Sequence, residues 1–187
     1  MEVNVYDFDK TIYDGDSSLD FYLFCAKRNK FLYFLSFKVL LFYLLFFLKL
    51  KDKTQVKEVF FSFLKYIDSD YMVADFFEKN KHKIKTFYVD CDHSNDIIIS
   101  ASPYFLLDKF ADYLKVKDLI ASNVDKNNGK FLNENCKGEK KVEYFLEKYP
   151  NYIINNFYTD SLSDMPLMRI SKKSYIISGN DIREYDV

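Results

Sequence analysis

The stretch from Phe31 to Leu50, FLYFLSFKVLLFYLLFFLKL, leaves this chain few ways to fold. Seventeen of its 20 residues are apolar; Ser36, Lys38 and Lys49 are the exceptions. A run of that length must cross a bilayer, lie on one, or be buried by other helices. It also concentrates an aromatic excess of 16 Tyr and 20 Phe in 187 residues. Lys outnumbers Arg 24 to 3, as AT-rich codon usage would give; such a bias explains abundant Phe and Tyr but not their clustering.

The length fits one domain, or one domain carrying an insertion. Hydrophobic residues at 49% and charged residues at 29% allow a packed core and exclude general disorder. A net charge of -1 argues against nucleic-acid binding through bulk charge. Cys25, Cys91 and Cys136 are widely spaced and odd in number, which speaks against a disulfide framework or structural zinc and for a reducing compartment. His82 and His93 are the only histidines, so the chemistry is not expected to be histidine-based. The start, MEVNVYDFDK, has no features of a signal peptide.

VNVYDFD reads as a short buried strand ending in carboxylates. From Ser17 to about Asp90 the apolar spacing is helical, with breaks expected near Asn29, Lys51 and Ile67. The texture then changes. DIIIS (Asp96 to Ser100) reads as a parallel strand and PYFLLDKFADYLK as a helix with Pro103 in its first turn. LIASNV is a strand, DKNNG a turn, KFLNEN a candidate hairpin partner, and GEKKVEYFLEKY a helix ended by Pro150. NNFYTD closes another strand, a short helix follows at Pro166, and SYIIS (Ser174 to Ser178) reads as the last strand. Such alternation predicts an α/β fold: a three-layer, Rossmann-like parallel sheet, with an all-helical cap inserted after the first strand. The expected division is 1–16 and 92–187 for the core and 17–91 for the cap.

Four polar sites fall at strand ends or helix starts, where an α/β sheet gathers its chemistry. Asp7 and Asp9, at i and i+2 in DFDKT, offer one carboxylate for attack and one for proton exchange, although a lone acidic turn is common. Ser100, with Ala101 and the following helix start, suits phosphate oxygens or an ordinary N-cap. Lys140 or Lys141 at a helix start opposes the dipole preference, as it would if an anion lay there; a solvated lysine face is the alternative. Asp160 and Asp164 are hard oxygen donors of the kind Mg²⁺ takes.

The ordered motifs DFDKT, IIISAS, CKGEKK and TDSLSDMPLM resemble those of the haloacid dehalogenase superfamily of phosphatases, closest to its phosphoserine-phosphatase-like branch with a helical cap. The resemblance implies a Mg²⁺-dependent phosphomonoester hydrolase. Asp7 would be the nucleophile and Asp9 the acid–base group. Thr11 would support the loop and phosphate site, and Ser100 with Ala101 would bind the phosphoryl group. Lys141, in register with Cys136 and Gly138, would neutralise charge. Asp7, the Asp9 carbonyl and Asp160 would hold the metal, with Asp164 bracing it. Lys10 stands where the family usually has a small residue, and Thr159 where Gly is common. Asp16 matches an acidic substrate-recognition position of the family, and equally reads as the cap of the following helix.

The same order of motifs limits the apolar stretch. Asp7 precedes it while Ser100, Lys141 and Asp160 follow, and one crevice cannot be shared across a single bilayer crossing. VFFSFLKYI (Val59 to Ile67) is too short for a second span. Residues 27–57 carry eight basic residues and one acidic residue, Asp52, which suits peripheral docking on an anionic membrane; burial within the cap is the competing reading. C-x-G-x-x-K followed by DSxxDxPL resembles the phosphatidylglycerophosphatase C group of this branch, which implies a lipid or amphiphilic phosphate as substrate. The alternatives are a soluble phosphatase of a small metabolite such as phosphoserine or a sugar phosphate, and a non-catalytic phosphate-binding or scaffold module. The expected location is cytoplasmic, with peripheral association at the inner membrane face.

Overall fold

A computed structural model of the protein describes residues 1–47, 53–89 and 91–186, without the side chains of 38, 39, 42–47 and 53. The sheet runs β3-β2-β1-β4-β5-β6, with β1 (Glu2–Tyr6) at its centre. β2 (Asp96–Pro103), β3 (Asp118–Ser122), β4 (Ile153–Thr159) and β5 (Ser171–Ser178) are all parallel to their neighbours. A further strand, β6 (Asp181–Glu184), pairs antiparallel to β5 after the Gly179 turn, so SYIIS is not the last strand. Its charged, exposed sequence carries no apolar alternation for a reader of the sequence to find.

Parallel strands buried on both faces need apolar side chains in both directions. In β2, Ile97 and Ile99 enter one core and Ile98 the opposite one. The first core holds Phe145 of α7 (Glu139–Lys148) and Leu167 of α8 (Met165–Arg169). The second holds Phe110 of α6 (Tyr104–Leu114) together with the helices between β1 and β2. Two ladders tie the central strands. Asn156 donates to Asn4, and Asn4 donates to Asp96, each at 3.0 Å. Tyr6, Tyr158 and Tyr175 stack with centroids 4.5 and 4.7 Å apart, one use of the tyrosine excess.

The segment between β1 and β2 contains α1 (Ser17–Arg28), α2 (Leu32–Phe47), α3 (Lys53–Phe61), α4 (Ser69–Asn80) and the short α5 (Thr86–Val89). Its breaks at Asn29 and Ile67 are present; the one expected near Lys51 lies outside the described residues. Phe21, Phe63, Phe76 and Phe77 pack in the same core as Phe110, so these aromatics join the helices to the sheet. Pro103 ends β2 and caps α6 rather than occupying its first turn, and KFLNEN forms only a bridge between Phe131 and Val124. Among the described residues no helix is long and apolar enough to cross a membrane.

Candidate active site

β1 ends at Tyr6, and the chain delivers Asp7 at the carboxyl edge of the sheet, its N–H bonded to the Tyr158 carbonyl at 2.9 Å. The Asp7 carboxylate is buried, and its Oδ1 accepts from Lys141 Nζ at 2.7 Å. Lys141 lies in the first turn of α7, whose N-cap Gly138 has φ 59°. That left-handed backbone suits glycine. The ammonium also donates to Asp164 Oδ2 at 2.7 Å, and Thr159 Oγ1 donates to the same oxygen at 3.0 Å. Lys140 instead faces outward to Glu134 and Glu143. The register left open by the sequence is thereby resolved: of the two lysines, Lys141 reaches Asp7.

Electrostatics follow from burial. Burial pushes the Asp7 carboxyl up to about 7, against the pull of Lys141 and with help from Asp164. Burial alone would lower Lys141, but Asp7 and Asp164 together raise it. Asp160 is raised by its own burial, partly offset by Lys10. Asp9 is raised by burial and opposed by hydrogen bonds from Ser102 and Ser17. Its carboxylate accepts from Ser17 N–H at 2.6 Å and from the Ser102 hydroxyl at 2.5 Å.

These groups border a cavity of about 180 Å³, lined by Asp7, Asp9, Ser100, Ala101, Lys141 and Asp160 and also by Asp16 and Asp164. Two residues depart from the expected set. Thr11 is wholly buried, its Oγ1 has no partner among the described residues, and it does not line the cavity, because the turn holding Ile12 and Tyr13 to the Phe8 carbonyl directs it inward. The Asp164 carboxylate is committed to Lys141 and Thr159. Asp16 lines the cavity while its Oδ1 caps α1 through Leu19 N–H at 2.9 Å, so both readings of it coexist. Arg28 is paired with Asp75 at 2.6 Å.

No three His, Cys, Asp or Glu side chains among the described residues are arranged to hold a metal ion. The donor set nevertheless fits Mg²⁺, which takes one or two carboxylates and completes its shell with waters and substrate. Asp160 receives no side-chain hydrogen bond from another described residue, and burial raises both it and Asp7, so a cation between them would relieve two desolvated carboxylates. The Asp9 side chain is turned to Ser17 and Ser102, leaving only its backbone carbonyl for such a role.

Sequence reasoning missed Lys57. From α3 its Nζ donates to the Ala101 carbonyl at 3.2 Å and to Asn135 Oδ1 at 3.0 Å, and burial pushes it down to about 8. In the sequence it is one lysine among the many flanking an apolar run, and only packing singles it out. Lys57 borders a second cavity of about 510 Å³ that shares Asp9, Asp16 and Ala101 with the first and is walled by Val56, Phe60 and Phe61.

No curated protein sequence matches the chain. Among solved structures it resembles a Bordetella pertussis protein of unknown function at 16% identity and TM-score 0.75, covering 92% of this chain and 88% of that one. A probable phosphoserine phosphatase from Vibrio cholerae gives 13% identity and TM-score 0.68, over 93% of this chain but 55% of its own. A phosphoserine phosphatase solved as a phospho-aspartyl intermediate analogue gives 16% and 0.53, over 91% and 83%. At such identities these likenesses establish the fold. The model of the haloacid dehalogenase-like hydrolases matches residues 5–169, which hold β2, β3, β4 and every wall of the cavity, and the chain belongs to that family.

Proposed function

We propose that the protein is a Mg²⁺-dependent phosphomonoester hydrolase that works through an aspartyl-phosphate. The observation that carries this reading is the Asp7–Lys141 contact of 2.7 Å on the wall of a cavity also lined by Ser100 and Asp160. A carboxylate oxygen of Asp7 bonds to phosphorus while the ester P–O bond breaks, and the leaving oxygen takes the proton carried by Asp9. Water then attacks phosphorus and gives a proton to Asp9, and the Asp7–phosphorus bond breaks to free phosphate. Lys141 and the Ser100 hydroxyl hold phosphoryl oxygens, and Asp164 keeps Lys141 aimed. Asp7, Asp160 and the Asp9 carbonyl would hold Mg²⁺, which when bound would supply charge against the repulsion between carboxylate and phosphate dianion. Residues 1–16 and 92–187 act as the catalytic core, and 17–91 as the cap that selects the leaving group.

The second cavity supports a leaving group with an apolar body, since Leu19, Val56, Phe60 and Phe61 line it beside Asp9. The cap surface supports the same direction. Phe34 is 79% exposed, Phe37 75% and Leu40 67%, an apolar patch on α2, and exposed Lys27, Arg28 and Lys30 precede that helix in the chain. That pairing suits an anionic membrane and an amphiphilic phosphate presented there, at the cytoplasmic face. Of the other five basic residues in 27–57, Lys57 is turned inward to Ala101 and Asn135 and does not face a membrane, and the side chains of Lys38, Lys49, Lys51 and Lys53 lie outside those described.

Purified protein with Mg²⁺ is expected to hydrolyse p-nitrophenyl phosphate, and Asp7→Asn to reduce this to background. No turnover across a broad phosphate panel overturns the reading in favour of a binding module. In a panel of lipid and soluble phosphates, preference for the lipids supports the amphiphilic substrate, and preference for phosphoserine or sugar phosphates overturns it. Flotation with anionic but not neutral vesicles tests the docking.

A further inference from the structure

Asp9 is held from two directions that the phosphatase chemistry does not by itself require. Its Oδ1 accepts from the backbone N–H of Ser17, at the start of α1. Its Oδ2 accepts from the hydroxyl of Ser102, near the end of β2, at 2.5 Å. Behind Ser102 stand two more hydroxyls from the first turn of α1: Ser18 Oγ at 3.0 Å and Ser17 Oγ at 3.3 Å. Ser102 and Ser17 are buried, and the Ser102 N–H is itself fixed to Ser100 Oγ at 3.1 Å. The Ser17 and Ser18 hydroxyls, 85 and 84 residues away in the chain, therefore converge on Ser102 Oγ, which in turn donates to one oxygen of the Asp9 carboxyl.

A hydroxyl suits such a carboxyl because the same oxygen both donates and accepts. Against a carboxylate, Ser102 donates and is supported by donation from Ser17 or Ser18. Against a carboxylic acid, the Asp9 O–H rests on Ser102 until the leaving oxygen takes its proton, and Ser102 turns its own proton to Ser18. Both states of Asp9 keep a partner in the same place, and the carboxyl does not have to move to exchange one state for the other. A lysine would fit only the carboxylate, and a backbone carbonyl only the acid.

We infer that Ser102, backed by Ser17 and Ser18, is a positioning residue for Asp9: a reversible hydroxyl chain that keeps the acid–base carboxyl aimed at the leaving oxygen through both half-reactions. This rests on the reading of Asp9 as the acid–base group. It also gives a use to the two consecutive serines in the first turn of α1, both of which reach Ser102.

The test uses two aryl esters that differ in their need for a proton, p-nitrophenyl phosphate and phenyl phosphate, with kcat/KM as the measure of the step that forms the aspartyl-phosphate. If Ser102 aims the acid, Ser102→Ala loses about tenfold or more on phenyl phosphate and less than about threefold on p-nitrophenyl phosphate. Ser102→Thr, which keeps the hydroxyl, recovers most of the loss. Ser18→Ala leaves the direct bond to Asp9 and is expected to show the same leaving-group pattern at smaller amplitude. Equal losses on both esters in Ser102→Ala, or none, overturn the role of Ser102 while leaving the phosphatase reading intact. If the wild-type protein hydrolyses neither ester, the phosphatase reading itself fails and takes the role of Ser102 with it.

Discussion

Lys141 and Asp7, 134 positions apart in the chain, meet at 2.7 Å with both side chains withdrawn from solvent. Burial holds the Asp7 carboxyl near 7 despite the ammonium beside it. In metal-free protein the folded carboxyl then keeps its proton up to about pH 7, whereas the unfolded chain releases it near ~3.9. The folded state binds more protons across that window, so this group's contribution to stability is full below about pH 4 and is lost as pH rises through 7. Urea denaturation in chelator at pH 4.5 and 7.5 is expected to show wild type losing stability relative to Asp7→Asn. A difference that stays flat with pH contradicts the assignment.

The Asp160 carboxylate faces the same cavity with Asp7 and has no hydrogen-bonding side chain of its own among the described residues. Mg²⁺ is therefore expected to raise the melting temperature of the wild-type protein in a concentration-dependent way, since a ligand bound only to the folded state stabilises it by mass action. Asp160→Asn is expected to remove that rise with little change in the metal-free melting temperature. A rise that persists in Asp160→Asn shows that the ion binds elsewhere.

Lys10 adopts φ 58°, a left-handed conformation that costs a non-glycine residue about 1–2 kcal/mol. Two bonds hold it there: its N–H donates to the Gly15 carbonyl at 2.9 Å, and its carbonyl accepts from the buried Lys85 ammonium. Lys85 also donates to the Gly179 carbonyl at 2.6 Å, so it joins the loop after β1 to the turn before β6. Lys85→Met is expected to lower stability by about 1–3 kcal/mol, the net worth of two part-buried hydrogen bonds from a charged donor. Lys10→Gly, which adopts this backbone freely, should offset part of that loss, so the double variant loses less than the sum of the singles. Strict additivity in chemical denaturation would show that the two residues are uncoupled.

Gly129, at φ 78°, closes the turn after β3 against α3. A Cβ there would sit 2.3 Å from the Phe61 carbonyl oxygen, a backbone atom that cannot rotate aside. Gly129→Ala is expected to destabilise by about 1–3 kcal/mol through overpacking, with a further contribution from the positive φ. The same substitution at Gly179, where a Cβ would meet nothing within 4 Å, isolates the backbone cost.

Much of this was legible in the residues. Strand and helix signals alternate strongly after Asp90 because parallel strands buried on both faces are continuous apolar runs, and DIIIS is such a run. The acidic, hydroxyl and lysine motifs stand at the ends of those elements, so Asp7, Asp9, Ser100 and Asp160 could be singled out before any contact was known. Thr11 could not be judged that way. Its neighbours in sequence line the cavity, and only the turn at Ile12 and Tyr13 takes it into the core. β6 was missed because a solvated edge strand needs no apolar alternation.

Local periodicity and residues adjacent in the chain carry the α/β class, the helical insertion after the first strand and the set of carboxylates. The tertiary structure decided which lysine meets Asp7, what Asp164 is spent on, where Lys57 reaches and what holds Asp9. Each of those is a contact between distant segments. Lys140 and Lys141 are neighbours with the same chemistry, and what separates them is that α7 turns one toward the sheet and the other toward solvent, where an ammonium has no need of a buried partner.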